Sequence, residues 1–141
     1  MSTPQHPTFT TTIHMRFRDL DAYGHVNNAV MFNYLEEARI SLLAERFYAA
    51  SAQEDVQFLV RRASCDYLRP LMLTQREILI TMRITEMRGA SFVLEYSIHD
   101  QDHTEFARAE TLMVCFDPVR GRPTRLPEWF TAHLHEQQNR S

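Results

Sequence analysis

One uninterrupted run, Asn28 to Ala50, limits the possible folds of this chain more than any other feature. It contains neither glycine nor proline, and its apolar residues Met31, Leu35, Ala38 and Leu42 recur at helical spacing. Phe32, Leu43 and Phe47 widen that stripe, while Glu36, Glu37, Arg39, Glu45 and Arg46 supply the polar side. The spacing predicts a helix of about twenty residues, roughly 30 Å long, the span of a small domain. A stripe of that length has to be covered by another layer.

The rest of the chain reads as strands that could supply it. Phe9, Thr11, Ile13, Met15 and Phe17 alternate with Thr10, Thr12, His14, Arg16 and Arg18, which predicts a strand with an odd-numbered apolar face. Val56 to Leu68 is extended by composition but alternates poorly, and Pro70 ends it. Ile78 to Thr85, Phe92 to His99 and Phe106 to Phe116 follow, separated by turns at Arg88–Ser91 and Asp100–His103. Ser51 to Asp55 is a short polar connection, and Pro127-Glu128-Trp129-Phe130 opens a last short helix. Successive hairpins make an antiparallel sheet. One apolar sheet face and one long helix bury each other in a two-layer α+β domain, with the sheet curling around the helix. Residues 1–8, with Pro4 and Pro7, read as a flexible lead-in to a single domain over 9–141.

Several function classes are set aside. The net charge is -3, without the basic surface of a general nucleic-acid binder. The opening MSTPQHPTFT has neither the basic nor the apolar region of a signal peptide. No apolar run approaches the ~20 residues of a membrane helix, so a cytoplasmic protein with no membrane partner is expected. Cys65 and Cys115 stand in strand-like runs without metal-type spacing and read as sheet or core residues. His133 and His135 lack a third ligand, so no metal site is expected.

Chemistry concentrates just before the long helix, in Asp19, Asp21, Gly24, His25, Asn27 and Asn28. Acids in such a place are commonly turn formers or dipole complements. A carboxylate there is also able to act as nucleophile or as general base toward water. His25 is a candidate acid, base or hydrogen-bond donor. Asn27 or Asn28 caps the helix. The first helical turn, Ala29 to Met31, carries no acid, which leaves its N–H groups available to a substrate oxygen that becomes negative. Glycine is used only three times, and Gly24 is expected where a side chain would block the backbone. Arg61, Arg62, Arg69, Arg88, Arg120, Arg122 and Arg125 are candidate phosphate contacts, with solvated surface as their default reading.

The stretch DAYGHVNNAVMFNYLEEAR resembles the motif of hotdog-fold acyl-CoA thioesterases of the 4-hydroxybenzoyl-CoA thioesterase type, closest to the HVNN branch with bacterial long-chain acyl-CoA thioesterases. CDYLRPL (Cys65 to Leu71), the run from Arg88 to Tyr96 and the closing RPTRLPEWF (Arg122 to Phe130) also look like their counterparts there, so the likeness spans most of the chain. It implies a hotdog fold, a five- or six-stranded antiparallel sheet wrapped around the helix. It further implies Asp21, not Asp19, as the catalytic carboxylate, and the backbone N–H of Asn28 as the group that polarises the thioester carbonyl, with His25 in support. Gly24, Val26, Asn27, Arg61, Arg88 and Ser91 are the implied candidate substrate contacts. The implied activity is hydrolysis of a small-molecule acyl-CoA to acid and CoA, with no cofactor beyond the CoA of the substrate. The implied partner is a second copy, in a dimer or tetramer with the active site at the subunit interface. An acyl-ACP thioesterase and a non-catalytic acyl-CoA-binding hotdog protein are the alternatives.

Overall fold

The computed structural model describes residues 8–51, 56–73 and 77–132, apart from the side chains of 44–51. The long run forms a single helix, α1 (Asn28–Ser51). Around it the chain forms β1 (Thr8–His14), β2 (Gln57–Tyr67), β3 (Glu77–Arg88), β4 (Ser91–His99), β5 (Glu105–Asp117) and the two-residue β6 (Arg122–Pro123). All pairings are antiparallel, in the order β1-β3-β4-β5-β2, with β6 added to the end of β5. The α+β expectation is met, with six strands.

The two layers bury each other as the residue patterns require. Met31, Tyr34, Leu35, Ala38 and Leu42 of α1 are buried, as are Phe9 and Ile13 of β1 and the alternating Ile78, Ile80, Met82 and Ile84 of β3. Phe92, Leu94, Tyr96 and Ile98 of β4 join the same core. Burying side chains of this size contributes roughly 1.5–3 kcal/mol each, so this interface is the main source of stability. A polar tie crosses it. The Tyr96 hydroxyl pairs with Thr111 Oγ1 at 2.7 Å and accepts from Arg39 Nη1 at 3.1 Å.

The registers give the sheet two distinct ends. His14 lies opposite Glu77, Leu79 opposite His99, and Tyr67 opposite Ala107, so the loop between β1 and α1 shares an end with the close of β2. The Arg88–Ser91 turn and the start of β2 lie at the other end.

Three local expectations are corrected. The first strand stops at His14, and Phe17–Asp19 forms a 3-10 turn because the Asp19 carboxylate accepts the Arg16 N–H at 3.0 Å. Phe17 is therefore 80% exposed rather than on the core face. Phe32 does not widen the buried stripe and stands 38% exposed. Cys115 is buried and Cys65 half-buried, as expected; burial pushes the Cys65 thiol up, the reverse of an activated nucleophile. Most of the lead-in, most of the 51–55 connection, the Phe47 side chain and the His133/His135 pair lie outside the described residues.

Candidate active site

The loop carrying Asp21 is organised by its own carboxylate. Oδ1 of Asp21 accepts the N–H groups of Tyr23 (2.9 Å) and His25 (3.2 Å). The Asp21 N–H donates to the His25 carbonyl at 2.7 Å, and the Gly24 N–H returns to the Asp21 carbonyl at 3.0 Å. Closing so short a loop takes Gly24 to φ +80, in the left-handed region. A Cβ placed on Gly24 would meet nothing within 4 Å. Glycine is expected at such a position, and conformation rather than crowding within the chain calls for it here.

Pairing Oδ1 with two backbone groups leaves Oδ2 with no donor among the described residues. The exposed Asp21 lines a cavity of about 260 Å³, together with His25, Val26, Asn28, Met31 and the segment Tyr67 to Leu71. The chain after β2 is held against the loop by the Val26 N–H, which donates to the Leu71 carbonyl at 2.8 Å, and by a bridge between His25 and Met72.

The start of α1 completes the cavity. Asn27 is the cap: its Oδ1 accepts the Ala29 N–H at 2.8 Å, and its carbonyl accepts those of Val30 (2.9 Å) and Met31 (3.2 Å). The Asn28 N–H has no acceptor among the described residues. It stands at the positive end of a helix 24 residues long. Tyr67 steadies the same residue from the other side, its hydroxyl donating to the Asn28 carbonyl at 2.9 Å. Burial, and then the neighbouring Cys65, hold the Tyr67 phenol above its ordinary range, so it remains a protonated donor at neutral pH.

The structure therefore brings together Asp21, His25, Val26 and Asn28 around the cavity, while Gly24 shapes the loop without lining it. Asn27 serves as helix cap and is not among the cavity's lining residues. Arg61, Arg88 and Ser91 do not join the cavity within one subunit. Arg61 sits at the bulge in the middle of β2, and the β3–β4 turn carries Arg88 and Ser91 to the opposite end of the sheet. There Arg88 lines a separate cavity of about 630 Å³ with Gly89 and Arg125. Tyr67, Leu68 and Leu71 join the site without having been expected there, and Arg69 was expected only as a basic residue. The available signal was Pro70, which stops β2 and turns its end back toward the loop. Among the described residues, no group of three His, Cys, Asp or Glu side chains is arranged to hold a metal ion.

A carboxylate oxygen and a helix-end N–H, both without a partner among the described residues and borne by residues that line one cavity, suit a carbonyl that is attacked at carbon while its oxygen gains charge. Residues 15–134 match the family model described as the thioesterase-like superfamily. The chain belongs to that superfamily. The chain is similar to the acyl-CoA thioester hydrolase YbgC of Escherichia coli O6:H1, 32% identical over 130 residues that cover 91% of this chain and 96% of that protein. The long-chain acyl-CoA thioesterase FadM of Escherichia coli K12 is 33% identical over 110 residues, 76% of this chain and 82% of that one. A solved thioesterase from Thermus thermophilus, complexed with coenzyme A and Zn, superposes with a TM-score of 0.78 at 31% identity, covering 96% of this chain and 98% of that one. The hotdog architecture expected of a thioesterase-like protein is the one present, a sheet wrapped on one long helix.

Because the site loop closes only with a left-handed residue at position 24, Gly24→Ala is expected to cost about 1–2 kcal/mol of unfolding free energy in urea. Gly24→Asn should cost less, since Asn tolerates that region. Equal stability of Gly24→Ala and wild type would contradict the loop geometry.

Proposed function

We propose that the protein hydrolyses an acyl-CoA thioester to a free carboxylic acid and CoA, with Asp21 acting at the carbonyl carbon and the Asn28 N–H binding the carbonyl oxygen. One observation carries this reading: among the described residues the Asp21 Oδ2 and the Asn28 N–H have no hydrogen-bond partner while the groups beside them do, and both residues line one cavity. The names of the curated relatives support CoA as the carrier.

The reaction needs little else. As a nucleophile or an activated water adds to the carbonyl, negative charge grows on its oxygen, and a fixed N–H at a helix start stabilises it more than it stabilises the ground state. One such donor is worth roughly 2.7–4 kcal/mol of barrier. The C–S bond then breaks and CoA leaves as a thiolate, a leaving group with a low enough pKa to require no strong acid. Asp21 takes part by one of two routes. In one, Oδ2 adds directly, giving a mixed anhydride that water then opens. In the other, Oδ2 takes a proton from the water that adds. His25, on the same cavity wall, orients that water. No metal or redox cofactor enters this scheme.

The proposed assembly is a symmetric dimer through β2. Among the described residues β2 pairs only with β5, so its outer edge is open over 11 residues, with Leu59, Val60 and Tyr67 each about 40% exposed. A long apolar edge of this kind is a template for strand pairing. Antiparallel pairing of two β2 edges about a two-fold axis sets the Tyr67 end of one strand beside the Gln57 end of the other. That brings the partner's Arg88 and the partner's Ser91 toward Asp21 and gives these residues a role near the CoA moiety.

In a thiol-release assay over aromatic, short-, medium- and long-chain acyl-CoAs, Asp21→Asn is expected to lower kcat/KM on the best substrate by about 10²–10⁴-fold. Undiminished hydrolysis would rule out the mechanism. Single-turnover hydrolysis in ¹⁸O-water separates the routes, since label appears in Asp21 only if an anhydride forms. For the shared site, mixing Asp21→Asn with Arg88→Ala subunits should regain activity, up to about a quarter of wild type in a two-fold dimer. No gain over the sum of the two variants would contradict a site built from both subunits.

A further inference from the structure

Asp19 stands outside the proposed chemistry, yet its surroundings are unlike those of a turn residue. It is only 7% exposed, and its carboxylate is well engaged: Oδ2 accepts the Tyr34 hydroxyl at 2.6 Å and the Arg16 N–H at 3.0 Å, with the Arg16 guanidinium 3.9 Å away. Tyr34 is completely buried on α1. Burial, and then the carboxylate it donates to, keep the phenol well above the ordinary tyrosine range, so it stays a donor. The Asp19 carbonyl accepts the Asn27 N–H at 3.0 Å. One residue thus joins the end of the strand segment, the body of α1 and the cap of α1. Between its two chain-side anchors, Asp19 and Asn27, runs the loop that carries Asp21, closed at its base by the Leu20–Val26 bridge.

We propose that Asp19 and Tyr34 form a buried positioning pair that sets where the Asp21 carboxylate stands relative to the Asn28 N–H, a role that rests on the thioesterase reading above. Burying a carboxylate is costly, and apolar residues of similar volume would stabilise such a site as well or better. What the hydrogen-bonded pair adds is direction. An O–H···O⁻ bond of 2.6 Å belongs to the short, strong class, and it ties the loop to the side of the helix whose first turn holds Asn28. The cap bond ties the same loop to the helix end. Two fixed points on α1 leave the loop one seating, and with it one position for Oδ2.

The test combines kinetics with amide hydrogen exchange on the full chain. Tyr34→Phe keeps the ring and removes the donor. It is expected to lower kcat roughly 10- to 100-fold, the scale of a displacement near 1 Å, with KM within about two-fold. In the Asp21→Asn background the same substitution should change residual turnover by less than about two-fold, because groups that act through one another are not additive. Exchange at the Tyr23, His25 and Asn27 amides should quicken at least about tenfold while the β3–β4 amides stay protected. Asp19→Asn, which keeps an acceptor for the phenol, should fall between Tyr34→Phe and wild type in both readouts. Equal fold-losses in the two backgrounds, or unchanged exchange at the three loop amides, would overturn the positioning role. Absence of turnover by the wild type on any acyl-CoA would instead overturn the thioesterase reading and the catalytic half of this proposal, leaving the exchange rates to decide whether the pair seats the loop.

Discussion

The burial of α1 against a sheet that wraps it is the contact on which the rest of the molecule depends. Tyr34, Leu35 and Ala38 are completely buried, as are Ile78, Ile80 and Ile98 on the facing strands. Once that stripe is seated, the helix cannot slide or rotate, and the place of its first turn is determined. That turn lies at the end of the sheet where β1 hands over to the loop and β2 closes. Asn27 then satisfies the N–H groups of Ala29, Val30 and Met31 between its side chain and its carbonyl. Among the described residues, the Asn28 N–H is left over as a consequence of the helix cap.

Asp19 and Asp21 show how environment divides two like side chains. They are two residues apart on one short loop, yet one is buried and the other exposed. Asp19 has its acceptor oxygen taken by a phenol and a backbone N–H. Asp21 commits one oxygen to the loop and keeps the other. A carboxylate held by buried partners fixes geometry, and one with an oxygen left over has it available for chemistry. The same division holds for the phenols, with Tyr34 locked on the loop and Tyr67 reaching the carbonyl of Asn28 from β2.

Much of the fold is legible in the sequence because each element has one wet face and one dry face. The alternation in β3 and β4 and the helical spacing of Met31, Leu35, Ala38 and Leu42 report burial directly. β2 is hard to read for a physical reason: as an edge strand left open by α1 it is exposed on both faces, so no alternation is imposed on it. The strand boundary at His14 escapes the pattern because a side chain, Asp19, bends the chain there. At the site, Asp21, His25 and Asn28 are legible because they are close in sequence. Tyr67 and the Leu68–Leu71 segment are not, since only the return of the chain after Pro70 brings them in. Asn27 reads as a possible substrate contact, but capping takes its oxygen. Arg88 and Ser91 depend on a second subunit in the proposed dimer, and no pattern within one chain locates them there.

Everything proposed for the chemistry turns on a backbone N–H, left free by the helix cap, polarising the carbonyl of a bound thioester. Infrared difference spectroscopy can read this from a ¹³C-labelled acyl-CoA thioester bound to Asp21→Asn, which holds the substrate intact. The carbonyl band is expected at lower frequency on the protein than in water, because one donor aligned by the helix start weakens the C=O bond more than mobile solvent does. A band at or above its position in water would show that the Asn28 N–H does not polarise the carbonyl.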